Sequence, residues 1–192
     1  MARPIGYDPD VVLQEAMQVF WEKGYDMTSI QDIVAVTGLK PGSLYNLYGS
    51  KEGLFEAVLD LYATEALKVA KEVLLEGDDG LKNIETFLHD VVLSSIINEK
   101  TNGCLMVKTL LIVSHKDSKI QSYITKVFEE VESYMVLVLQ SCKDKGQISV
   151  NPEDFARFII ITMYGAHVYY KTSKDKDALT NSLQIVLDML VQ

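Results

Sequence analysis

Apolar residues recur at helical spacing along almost the whole chain, and the breaks between these runs predict where helices start and stop. Val12, Ala16, Val19 and Phe20 share one face of a first helix that Asp8-Pro9 opens and Gly24 ends. Thr28-Ser29-Ile30-Gln31 reads as a capping box, with Thr28 as the cap and Gln31 reaching back. The short second helix it starts carries Ile30, Ile33, Val34 and Thr37 on one face. Gly38 ends that helix in a left-handed residue, and Pro41 opens a third that runs to about Tyr48. Ser50 caps a long fourth helix from Lys51 to about Glu76, broken by Gly77-Asp78-Asp79-Gly80. At roughly 1.5 Å per residue it spans on the order of 35 Å.

Five further helices follow. Leu81 to about Asn98 carries Ile84, Phe87, Leu88, Val91 and Ser95 on one face, and Gly103 to His115 is short and apolar nearly all round, which marks a central buried helix ahead of the alternative, a strand. Ile120 to Asp144 has the clearest stripe, from Ile120 and Ile124 through Val131 and Met135 to Cys142. Asn151-Pro152-Glu153-Asp154 opens the next helix with cap, proline and an acidic first turn. The last runs from about Asp175 to Leu190 with Leu179, Leu183, Val186 and Leu190 in register. Only 4 Pro and 11 Gly, without repeated turn clusters, favour helices over a many-stranded sheet. The predicted fold is therefore all-α. A three-helix N-terminal domain, residues 1–50, is joined by the long helix to a helical domain, residues 51–192.

The second and third helices, with a tight Gly-containing turn between them, have the form of a helix-turn-helix, which lays its second helix in the DNA major groove. Thr28, Tyr45, Tyr48 and Lys51 are expected to hold phosphates, and Lys40, Ser43 and Asn46 to touch base edges, around a helix opened by Pro41 and Gly42. The phrases Ile30-Gln31-Asp32-Ile33, Gly38-Leu39-Lys40, Gly42-Ser43-Leu44-Tyr45 and Ser50-Lys51-Glu52 stand in the order found in the DNA-binding domain of the TetR family of bacterial regulators. From about Phe20 through Phe55 the chain resembles that family, with Lys40 where members often have a Ser cap and Leu47 where many have His. The resemblance implies a transcriptional regulator, expected to be a repressor, that binds double-stranded operator DNA as a homodimer and is released by a small-molecule effector.

Charge argues partly against this. The net charge is −9, and residues 1–53 hold four basic residues (Arg3, Lys23, Lys40, Lys51) against seven acidic ones. Affinity for random DNA comes almost entirely from phosphate neutralisation, so an acidic body suppresses non-specific binding and leaves recognition to paired specific contacts. The same deficit supports the alternative reading, a helical ligand-binding or protein-interaction module that no longer binds DNA.

Among the remaining residues no phosphate loop, metal-spaced His/Cys cluster or nucleophile motif appears, so neither an enzyme, a metal nor a cofactor is expected. Lys108 is the one charge in its apolar helix and must snorkel, pair or meet an anion. Cys104, in a phrase Gly103-Cys104-Leu105 that resembles one branch of the family, is either a packed thiol or a reactive one activated by its helix start and by Lys108. Phe87, Cys104, Met106, Lys108, Phe128 and His167 are expected to line the effector site, and the effector to be hydrophobic, anionic or electrophilic. His115 is placed at the end of its helix. The last two helices are apolar on more than one face, so Phe158, Gly165, Ala166, Tyr169, Leu183, Val186 and Leu190 are expected to build the dimer interface that the family forms there. Two distant cysteines, no apolar run long enough for a membrane span and no apolar signal core near Met1 place the chain in the cytoplasm.

Overall fold

A computed structural model describes residues 7–98, 103–113 and 118–190, and His115 lies outside them. The described residues are helical throughout, without strands: α1 (Pro9–Lys23), α2 (Ile30–Thr37), α3 (Pro41–Tyr48), α4 (Lys51–Leu75), α5 (Gly80–Thr86), a π-helical stretch (Phe87–Leu93), α6 (Ser94–Ile97), α7 (Leu105–Val113), α8 (Ser118–Asp144), α9 (Pro152–Ser173) and α10 (Lys176–Leu190). Two compact units divide within α4, Met1–Thr64 and Glu65–Gln192.

The N-terminal unit takes in the first half of α4 because that half completes its core. Leu54, Phe55, Val58 and Leu59 are buried there with Val12, Ala16, Val19, Phe20, Ile33 and Leu44. Phe55 packs its ring 4.9 Å from Phe20 and 4.8 Å from Tyr25, and Trp21 meets Tyr62 edge-on at 5.0 Å. Asp8 caps α1, whose N1 residue is Pro9. The cap of α2 differs from the expected box by one residue. Ser29 is the N-cap: its hydroxyl accepts from the Asp32 N–H at 3.2 Å, and Asp32 Oδ2 accepts from the Ser29 N–H at 2.8 Å. Thr28 is buried instead, and its hydroxyl donates to the Gly24 carbonyl at 2.7 Å.

In the C-terminal unit one core gathers Ala70 and Leu74 of α4 with the inner faces of α5, α6, α8, α9 and α10. The π-helical stretch changes the buried stripe expected after Leu81. Ile84, Phe87 and Leu88 are buried as the α-helical period requires, but the wider turn then advances the inner face by one residue, burying Val92, Leu93 and Ile96 in place of Val91 and Ser95. The α7 helix starts at Leu105 rather than at Gly103 and is not buried all round. Leu105, Met106, Val107 and Thr109 are buried, whereas Leu111 and Ile112 are about half exposed. Cys104 lies ahead of the helix rather than in its first turn, its carbonyl accepting the Lys108 N–H at 3.1 Å.

Candidate nucleic-acid interface and ligand cluster

Local chemistry sets the geometry of α3. Gly38 ends α2 in the left-handed conformation, φ 63°, and Pro41 supplies the first helical residue of α3. Lys40 stands at the N-cap without a side-chain hydrogen bond, so no side chain shields the positive end of this helix. Leu44 is the buried anchor, while Gly42, Tyr45 and Asn46 are exposed and Ser43 and Tyr48 half-buried. Burial holds the Tyr48 phenol above its ordinary range, with Tyr7 and Asp10 adding to the effect, so it stays a hydrogen-bond donor. Lys51 lies over the Tyr25 ring, 4.5 Å from its centroid. The exposed Lys23 ammonium is tied to Asp32 at 2.6 Å, joining α1 to α2.

The expected DNA-contacting residues therefore sort into two groups. Lys40, Pro41, Gly42, Ser43, Tyr45, Asn46, Tyr48 and Lys51 sit on or beside α3 and are all exposed or half-buried. Thr28 is a correction: its side chain is 2% exposed and its hydroxyl is spent inside the fold, so it has no surface to offer a phosphate. Ser29 is the exposed hydroxyl at that corner. Sequence reasoning passed over it because the box was read one residue early.

Of the residues expected to line an effector site, the structure brings Phe128 and Cys104 near Tyr164, sets Gly103 against His167, and places Lys108 near Cys104. Phe128 meets the Tyr164 ring edge-on at 4.8 Å. His167 Nδ1 lies 2.8 Å from the Met163 carbonyl, and its Nε2 is buried without a hydrogen-bond partner among the described residues. Burial lowers the imidazole's basicity, while the Met163 bond works the other way. Lys108 is half-buried, and its ammonium is weakened by burial first, then by Lys171 and Lys174, with Cys104 opposing. The Tyr164 phenol is held far above its usual range by burial, then by Cys104 and Glu132. Tyr164 stands one turn before His167, as their i, i+3 spacing in the sequence indicates, and Lys171 and Lys174 lie near Lys108. Phe87 and Met106 are 3% and 1% exposed, packed as core residues. A separate surface groove of about 590 Å³ on α8 and α9 is lined by Glu129, Glu132, Ser133, Val136, Leu137 and Arg157, and by none of the expected effector residues. Among the described residues no cluster of His, Cys, Asp or Glu could hold a metal, and no helix is long and apolar enough to cross a membrane.

The expected interface residues also separate. Leu183, Val186, Leu190 and Ala166 are buried in the chain's own core, which corrects their placement on a partner-facing surface. What α9 and α10 leave exposed is another set: Phe158, Ile161, Val168, Tyr169, Ile185 and Met189. Gly165 lies among them, with nothing within 4 Å of where a Cβ would stand.

A helix-turn-helix with an outward-facing second helix, carried on an otherwise helical chain, defines the class: a DNA-binding transcriptional regulator. Residues 12–58 match the profile of bacterial regulatory proteins of the tetR family, and residues 80–186 that of the tetracyclin repressor-like C-terminal domain. The chain belongs to the TetR family. It is similar over 99% of its length, at 26% identity, to the HTH-type transcriptional regulator YezE of Bacillus subtilis, all of which is covered. It is 36% identical over 117 residues to the HTH-type transcriptional repressor ComR of Escherichia coli, a match spanning 58% of this chain and 54% of ComR. In fold it is similar to the TetR-family regulator CifR, solved as a cysteine mutant complexed with 26-bp double-strand operator DNA. That match has a TM-score of 0.84 at 23% identity and covers 97% of this chain and 98% of CifR.

Proposed function

We propose that this chain is a cytoplasmic repressor that grips a palindromic operator as a homodimer and is released by a small molecule bound in its C-terminal unit. The observation that carries the reading is α3 itself: one buried leucine anchors an eight-residue helix whose remaining groups are exposed or half-exposed. Lys40, Ser43 and Asn46 read base edges, and Tyr45, Tyr48 and Lys51 hold phosphates. The exposed apolar residues at 158, 161, 168 and 169, with the open Gly165 between them, follow helical spacing along α9. Together with Ile185 and Met189 they form the face that a second copy covers. The cluster around Tyr164 receives the effector. Release requires that the effector bind one arrangement of the dimer better than the other, with α4 as the continuous helix running from one unit into the other.

Fluorescence anisotropy with DNA from upstream of the chain's own gene tests this. We expect a bound palindrome with recognition helices about 34–36 Å apart. Asn46→Ala relaxes sequence preference, whereas Lys51→Ala weakens all sequences and flattens the salt dependence. Equal loss on specific and random DNA for Asn46→Ala overturns the base-contact assignment. Failure to retain any DNA at low salt favours the alternative, a ligand-binding or interaction module.

A further inference from the structure

The His167 imidazole is fixed in one state. A carbonyl can only accept, so Nδ1 facing the Met163 carbonyl at 2.8 Å must carry the proton and donate it. Burial disfavours the imidazolium, so the ring is neutral and Nε2 is a lone-pair acceptor. That acceptor is buried and meets no donor among the described residues. Leaving it so costs the desolvation of the lone pair, and a ligand that brings a donor recovers it.

The surroundings say what kind of donor fits. Gly103 stands against the ring with φ 98°, and a Cβ there would lie 3.2 Å from His167 Cδ2 and 4.0 Å from Nε2. The turn before α7 thus brings bare backbone to the imidazole edge and keeps a side chain out of the way of Nε2. One helical turn back on α9, Tyr164 offers an aromatic face already packed edge-on with Phe128. Lys171 and Lys174 add positive charge around Lys108, on the helix that Gly103 precedes.

We propose that the effector of this site is a phenol-class molecule: an aromatic ring beside Tyr164 and Phe128 whose hydroxyl donates to His167 Nε2. The inference rests on the reading that the C-terminal unit holds an effector. A phenol O–H is a stronger donor than an aliphatic alcohol, and its ring packs beside the Tyr164 and Phe128 rings. His167 then reads the presence of the hydroxyl, and Gly103 leaves room for it.

The test compares para-ethylphenol with its methyl ether, which has the same ring and no donor, by calorimetry on the full chain. We expect the phenol to bind about tenfold tighter or more. His167→Phe removes that preference and His167→Gln, which keeps an acceptor, restores part of it. Nitrogen-15 spectra of the unsubstituted protein give an independent readout: the non-protonated Nε2 signal of His167 moves on adding the phenol and stays on adding the ether. Equal binding of the pair, no binding of either, a stationary Nε2 signal or a preference that survives His167→Phe each overturns the proposal. Operator release is measured separately. A phenol that binds at His167 without changing DNA affinity refutes the effector reading and leaves the site standing.

Discussion

Replacing Gly42 by alanine should raise the stability of the protein and lower its affinity for operator. Gly42 is the second residue of α3, exposed, and an added Cβ would meet nothing within 4 Å. Among the described residues nothing therefore asks for glycine there. Glycine costs about 1 kcal/mol relative to alanine in a helix interior, and roughly half of that in a first turn, so the free protein should gain about 0.5 kcal/mol. In a chain of this size that raises the melting temperature by about 1–2 °C. A steric reason to keep glycine would lie outside the described residues, at the proposed DNA contact with the start of α3. A methyl forced into a close-packed contact costs about 1–3 kcal/mol, or a roughly five- to 150-fold loss of affinity. No cation is removed, so the salt slope should be unchanged. Anisotropy titrations at several salt concentrations, beside thermal melts of the same preparations, supply both signs. Unaltered affinity would show that the start of α3 does not face the duplex, and a fall in melting temperature would show that Gly42 serves the fold.

Gly80→Ala should be destabilising, by about 1–3 kcal/mol, because its Cβ would fall 2.6 Å from Cys142 Sγ and 3.0 Å from Val138 Cγ1. Cys142→Ala should return part of that loss in denaturant titrations at fixed chain concentration; absence of rescue removes the steric explanation. The Lys23 hydrogen bond and then those from Ser29 hold the Asp32 carboxyl well below its ordinary value of 3.8. A carboxyl depressed in the folded state stabilises fully above the unfolded value and loses that contribution as pH falls through the folded one. The acid limb of the melting profile below about pH 4 should therefore flatten in Asp32→Asn, and an identical limb would sever the link. Toward iodoacetamide, Cys104, which is partly exposed, should react well before Cys142, which is 1% exposed and whose thiol burial pushes up. Equal labelling rates in the native protein contradict the burial of Cys142. Ile161→Glu should yield a folded monomer by light scattering, since Ile161 is 61% exposed in the single chain; a persistent dimer places the interface elsewhere.

Local rules made the N-terminal unit legible almost to the residue. Asp8-Pro9, Gly38 and Pro41 each satisfy a backbone requirement within a few residues of themselves, and no tertiary contact is needed to read them. The one-residue error at Thr28 arose where two overlapping pairs, Thr28/Gln31 and Ser29/Asp32, both fit the capping pattern. Lys23 helps break the tie by binding Asp32 at 2.6 Å, across nine residues of sequence that no local rule spans. The π-helical stretch was hidden for a related reason. Period alone predicts Val91 and Ser95 inward, and only the packing of Val92, Leu93 and Ile96 reveals the wider turn.

The last two helices show the limit of pattern reading most clearly. On α10, Leu179, Leu183, Val186 and Leu190 form one apolar stripe and Ile185 and Met189 lie off it, so hydrophobicity alone cannot say which belongs to the chain's own core. Burial assigns the first stripe to the monomer and leaves the second in water, with Phe158, Ile161, Val168 and Tyr169 of α9 exposed as well. An apolar patch of that kind, on two helices whose inner faces are already filled, is what a monomer keeps when another surface is meant to cover it. The cluster proposed to hold the effector follows the same logic with polar groups. Gly103, Phe128, Tyr164 and His167 come from three separate stretches of chain, so no spacing rule joins them. What marks them together is an energetic debt, a buried imidazole lone pair that the described residues leave unmatched.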